Sequence, residues 1–179
     1  MNKKQLKELI EIEIYTPYKK AKKRKLNIFD RFWLKHLSPE TNAIYLVRKK
    51  EYFESKGKFY KALSRIYHSI LMRRYGIHIA QGTTIGKGLK IVHPCSIAIT
   101  LCDIGENFTI FQNCTIGQKS SNSSNFPRIG NNVTLYANSC IIGGCKIADG
   151  VIIGANSCLL HDALETGIYV GSPAKLIRK

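Results

Sequence analysis

From residue 77 onward, aliphatic residues return every six positions: Ile79, Ile85, Ile91 and Ile97, then Ile104, Ile110 and Ile116, then Ile129, Leu135, Ile141, Ile147, Ile153 and Leu159. The register slips twice, by a step of seven between Ile97 and Ile104 and a step of thirteen between Ile116 and Ile129. An α-helix cannot hold this stripe on one face, because six residues advance it by roughly 600°. Hairpin sheets fit no better, since no segment alternates strictly over a strand length and no Asn-Gly turn occurs. A six-residue period is that of a parallel β-helix, in which short strands and tight corners stack so that equivalent residues lie above one another. Each inward aliphatic side chain then stabilises the stack by about 1.5–3 kcal/mol. Gly and Asn in IGKG, IGENF, IGNN and ADG supply corners where positive φ is cheap. The segment GQKSSNSSNFPR, residues 117–128, is too polar and too long for one strand, and is expected to loop out between coils, where sites are often built.

Residues 1–75 change period. KQLKELIEIEIY opens a helix. After an expected turn at LSPETN, Ile44, Leu46, Tyr52, Phe59, Leu63, Ile66, Ile70 and Leu71 recur at helical spacing. The expected fold is therefore mainly β: a parallel β-helix over 76–179, with a protruding loop and a C-terminal tail, behind an α-helical region over 1–75.

Charge divides the chain at the same point. Residues 1–76 hold 20 basic and 7 acidic side chains, and residues 77–179 hold 8 and 5. Such a basic region suits an anionic membrane surface or an acidic polymer, or is simply a solvated helical face. In KKAKKRKLNIFDRFWLKHL a basic run precedes Phe29, Phe32, Trp33 and Leu34. These aromatics either dock the helices on the β-helix or lie on an anionic bilayer. Nucleic acid is disfavoured, because no reading motif is present and the aromatics follow helical spacing. No apolar run approaches the ~20 residues that span a bilayer, and the N-terminus lacks a signal-peptide core. The expectation is a cytoplasmic protein, with peripheral contact at the inner face of the membrane left open by the basic run.

Six cysteines contain no CxxC pair. Cys95, Cys102, Cys114 and Cys145 fall two residues before stripe positions, and Cys140 and Cys158 one before, so they read as small core hydrophobes. A zinc hydro-lyase would need three converging histidines, but His161 lies too many coils from His78 and His93. No metal is expected.

Against this pattern GLKIVH, NFTIFQNCTIG, the loop ending PRIG, IGNNVTLYANSCIIGGCKIADGVIIGANS and the terminal GSPAKLIRK resemble the hexapeptide-repeat acyltransferases. Within them the resemblance is to the serine acetyltransferase-like branch that includes sugar and capsular O-acetyltransferases. It implies a left-handed β-helix, a homotrimer with sites between subunits, and acetyl-CoA as co-substrate. His93 matches the family's general base, which takes the proton from an acceptor hydroxyl as that oxygen attacks the thioester. A histidine suits the task because a free imidazole titrates near about 6.5 and can pass the proton on to the departing thiolate. The resemblance further implies CoA-lining positions at Gly117, Ala137 and Ala155, with Lys175 and Arg178 toward the nucleotide phosphates. It puts Gln112, Asn113 and Lys119 on the acceptor side. His161 reads as structural.

The motif also departs from serine acetyltransferases. Their Asp before the catalytic histidine is Val92 here, their Arg-His pair is Asn125 and Phe126, and an upstream carboxylate aligns with His78. A zwitterionic amino acid needs charged partners, because burying its ionic groups unpaired costs several kcal/mol. The expectation from these positions is an acetyltransferase acting on a sugar hydroxyl of a capsular or lipopolysaccharide glycan or its precursor, with Phe126 stacking on the ring and His78 facing the acceptor. Serine O-acetylation and a non-catalytic polyanion-binding scaffold are the alternatives.

Overall fold

The computed structural model describes residues 1–120 and 125–178. The chain divides into two compact units, Met1–Gly76 and Ile77–Lys179.

The first unit is helical: α1 (Lys3–Ile10), a π-helical turn (Glu11–Tyr15), α2 (Thr16–Lys22), α3 (Ile28–His36), α4 (Pro39–Glu54), a 3₁₀ turn (Lys58–Tyr60) and α5 (Lys61–Tyr75). LSPETN is not the expected turn. It starts α4, with Ser38 at the N-cap and Pro39 in the first turn, where its missing N–H costs nothing. The helical spacing after it is broken at Gly57, whose φ of 91° ends one helix before the next begins. Leu6, Ile10, Ile14, Leu34, Ile44, Val47 and Leu71 form the core. The π turn carries Glu13 into this core, where Arg48 donates to it through Nε at 2.9 Å and Nη2 at 2.6 Å, and to Glu51 through Nη1 at 2.7 Å.

The second unit is a parallel β-helix of three sheets, one per side of a triangular prism. One side stacks Ile79, Ile99, Ile116, Ile141 and Leu159, the second stacks Ile85, Ile104, Ile129 and Ile147, and the third stacks Ile91, Ile110, Leu135, Ile153 and Tyr169. The stripe is therefore real, with one correction. Ile99, not Ile97, occupies the inward position, and Ile97 fills the corner slot two residues before it. The corresponding steps are eight residues and then five. Cys95 consequently leaves its expected slot and is exposed, whereas Cys102, Cys114 and Cys145 are buried as expected.

Helix exceeds strand, 36% against 21%, so the chain is not mainly β by residue count. The reason is geometric: most sides contribute only two ladder-bonded residues per coil, and the corners between them count as neither. The β-helix closes on an antiparallel pair, Ile168–Gly171 with Ala174–Arg178.

One corner column makes the coil spacing testable. A Cβ on Gly86 would lie 2.6 Å from the backbone of Gly105, and one on Gly105 would lie 2.7 Å from the backbone of Gly130. Neither backbone can move without opening the stack. Gly105→Ala should therefore cost about 1–3 kcal/mol in denaturant unfolding, with an unchanged slope.

Candidate active site

The corner between the third and first sides holds His93 and most of the residues around it named from the sequence. Asn113 N–H donates to the Cys95 carbonyl at 2.9 Å, Asn138 to Gln112 at 3.1 Å and Asn156 to Ala137 at 3.0 Å. Cys95, Gln112, Ala137 and Ala155 thus form one column, and Ser96, Asn113, Asn138 and Asn156 the next. The second column is left-handed throughout, with φ of 51°, 58°, 62° and 57°. Asparagine tolerates this conformation, and here its side chains add a ladder: Asn113 Nδ2 donates to Asn138 Oδ1, and Asn138 Nδ2 to Asn156 Oδ1, each at 3.0 Å.

On the other flank Val92, Phe111, Tyr136 and Gly154 are equivalent, their N–H groups bonding to Ile110, Leu135, Ile153 and Tyr169. Phe111, Tyr136 and Gly154 run directly into Gln112, Ala137 and Ala155. Val92 and Cys95 are instead separated by two extra residues, His93 and Pro94. The insertion explains why a histidine interrupts the wall: it stands outside the repeat. His93 is exposed, has a φ of 51°, and makes no side-chain hydrogen bond among the described residues. A non-glycine residue in left-handed backbone is a point of local strain of the kind that clusters at functional sites.

One coil away, Gln112 Oε1 is buried without a hydrogen-bond partner. Such a buried acceptor is costly to leave unmade and is ready for a donor from a ligand. Phe111 stacks on Tyr136 at 4.9 Å beside the corner, an aromatic wall that the six-residue period alone did not single out.

The predicted residues do not all gather here. His93, Gln112, Asn113, Ala137 and Ala155 share this edge. Gly117, Lys119 and Phe126 belong to the opposite edge of the first side, where the loop leaves and returns. There the Lys119 stem packs over Gly143, and Asn125 packs where a Cβ on Gly144 would sit, 2.1 Å from its Cγ. Loop residues 121–124, on which part of the expected hydrogen-bonding loop falls, lie outside the described residues. Between the two edges, the outer face of the first side is a row of His78, Ala98, Thr115, Cys140 and Cys158. His78 is exposed on that row. Lys175 and the backbone of Arg178 lie in the closing antiparallel pair, so the expected tail is a strand. His161 is exposed in the last coil. Among the described residues no group of three His, Cys, Asp or Glu is placed to hold a metal ion.

Burial pushes the Cys102 thiol up to about 12. Burial, with help from the hydrogen-bonded thiol of Cys158, does the same for Cys140. Both stay protonated near neutral pH and are poor nucleophiles.

Repeat, prism and corner are those of a parallel β-helix built on a hexapeptide period. Residues 126–161 match the family described as bacterial transferase hexapeptide (six repeats). Curated proteins similar to this chain include serine acetyltransferases. That of Staphylococcus aureus (strain Mu50) is 34% identical over 137 residues, 75% of this chain and 62% of the relative. That of Staphylococcus epidermidis is 39% identical over 106 residues, 58% and 50%. The matched region thus spans less than two thirds of these relatives. Among solved structures, Neisseria gonorrhoeae serine acetyltransferase superposes with a TM-score of 0.78 at 21% identity, covering 99% of this chain and 68% of that one. Soybean serine acetyltransferase complexed with serine gives 0.70 at 27%, covering 76% and 56%. The shared fold is the left-handed parallel β-helix with N-terminal helices.

These relatives overturn the expected glycan acceptor. That expectation rested on Val92, Asn125, Phe126 and His78, and assumed that charge for an amino acid must come from those positions. Similarity across most of the chain outweighs four side chains, since other groups, Lys119 among them, can supply charge.

Proposed function

We propose that this chain is an acetyl-CoA-dependent serine O-acetyltransferase with His93 as general base. The observation that carries the reading is the two-residue insertion that sets His93 out of an otherwise regular corner, in a chain similar to serine acetyltransferases. A ring nitrogen of His93 takes the serine hydroxyl proton as the oxygen bonds to the thioester carbonyl carbon. The tetrahedral adduct then expels the CoA sulfur, which receives that proton from the imidazolium. The ester forms, the C–S bond breaks, and no enzyme nucleophile is consumed, in keeping with the protonated thiols of Cys102 and Cys140.

Ala137 and Ala155 keep the column beside His93 shallow enough for the pantetheine arm, and the unpartnered Gln112 Oε1 accepts from one of its amide N–H groups. Gly117 leaves room near the thioester, Lys175 and Arg178 meet the phosphates, and Lys119 meets the serine carboxylate, with His78, Asn113 and Phe126 lining the acceptor side.

The His93 edge is open in one chain, since Asn113, Asn138, Ala155 and Asn156 are all exposed along it. An open edge cannot exclude water, and Lys119 stands on a different edge. A homotrimer that brings the loop edge of one copy against the His93 edge of the next completes the site.

Incubation with acetyl-CoA and free L-serine should yield acetylated serine, detected by mass spectrometry. Thiol release without that product would overturn the acceptor. Ala137→Leu should raise the KM for acetyl-CoA about tenfold or more, while the KM for serine changes little, because the added bulk lies on the donor's path.

A further inference from the structure

Helix α3 faces the wrong way for a helix of a soluble core. Its inner face holds Leu34 and Asp30, which are buried. Its apolar stripe, with Leu37 just beyond its end, points to solvent: Ile28 is 87% exposed, Phe29 67%, Phe32 54%, Trp33 38% and Leu37 51%. The spacing of one, four and five residues from Ile28 places Ile28, Phe29, Phe32 and Trp33 within an arc of about 140°, and Leu37 caps the helix end beside it.

Charge surrounds this stripe. Residues 16–38 hold eight Lys or Arg and one Asp. Arg24 is spent on Asp30 and Lys19 on Glu11. Lys20, Lys23 and Lys25 are exposed and have no carboxylate partner among the described residues. A second copy of the chain paired stripe to stripe would bring two such basic runs together, which like charges oppose. A contiguous exposed stripe of Phe, Trp, Ile and Leu rimmed by lysines matches instead an anionic lipid surface, where the rings enter the headgroup boundary and the lysines meet phosphate.

We infer that α3 and the basic run before it form a peripheral binding surface for anionic membranes, independent of the reaction assigned to the β-helix. The full chain should sediment with vesicles of phosphatidylcholine containing phosphatidylglycerol and not with phosphatidylcholine alone. Trp33 is the only tryptophan, so its emission should shift to the blue on binding. Phe29→Ser with Phe32→Ser should lower partitioning about tenfold or more. Lys20→Gln, Lys23→Gln and Lys25→Gln together should lower it about a hundredfold. All five positions are exposed, and unchanged circular dichroism melting separates lost binding from lost folding. The inference is overturned if wild type ignores anionic vesicles or binds both kinds equally. It is equally overturned if light scattering shows that the double serine variant lowers the assembly mass in buffer, which would give the stripe to a second copy.

Discussion

Replacing His93 should lower turnover of serine by about 10²–10⁴, the usual loss when a general base is removed. Two variants make the result interpretable. Alanine removes the imidazole but is itself disfavoured at the φ of 51° that His93 adopts. Asparagine tolerates that backbone and cannot take up the hydroxyl proton, so His93→Asn should be as inactive as His93→Ala while melting closer to wild type. KM for acetyl-CoA should move little in either, because the lost interaction belongs to the transition state. If His93→Asn retained full activity, the insertion would be a structural irregularity and the base would have to be sought elsewhere.

Arg48→Met should destabilise the helical unit by about 3–5 kcal/mol, the cost of stranding a buried charge. Arg48 is 1% exposed and donates to the buried carboxylate of Glu13 through Nε and Nη2 and to Glu51 through Nη1. Methionine fills much of the volume and leaves two carboxylates facing one another in the core. Burial already pushes the Glu51 carboxyl up, against the opposing pull of Arg48. Without the guanidinium it must rise further. A carboxyl whose folded pKa lies above its unfolded value, about 4.3 for glutamate, favours folding fully only below that value and loses the advantage as pH climbs through the folded pKa. The variant should therefore recover stability between neutral pH and about pH 5, more than wild type does. Thermal melts across that window read both effects, and a pH-independent deficit would mean that lost packing dominates.

The β-helix was legible because its core repeats on a six-residue count with few breaks, and nearly every inward residue named from the sequence is inward. The one error is instructive. Ile97 and Ile99 are both 2% exposed, so a count of six from Ile91 lands on a buried isoleucine that belongs to the corner. Only strand pairing shows that Ile99 stands opposite Ile79 and Ile116, and hence that His93 and Pro94 are inserted. In the sequence Ser96-Ile97 and Ala98-Ile99 have the same form as Thr115-Ile116, a small residue followed by isoleucine, so residue type does not separate them. The helical unit was less legible. Phe59, Leu63, Ile66 and Ile70 have core spacing yet remain exposed, because periodicity identifies an apolar face and not what covers it. The acceptor was misread for a related reason: four substituted positions reveal which charges are missing there, but not which groups replace them.

The most direct test of this account is the initial rate of CoA release from acetyl-CoA by the purified full chain, measured with L-serine and with neutral sugars as acceptors. Release that saturates with serine, stays at background with sugars, and disappears in His93→Asn is the predicted result. Saturable release with a sugar and none with serine would contradict it.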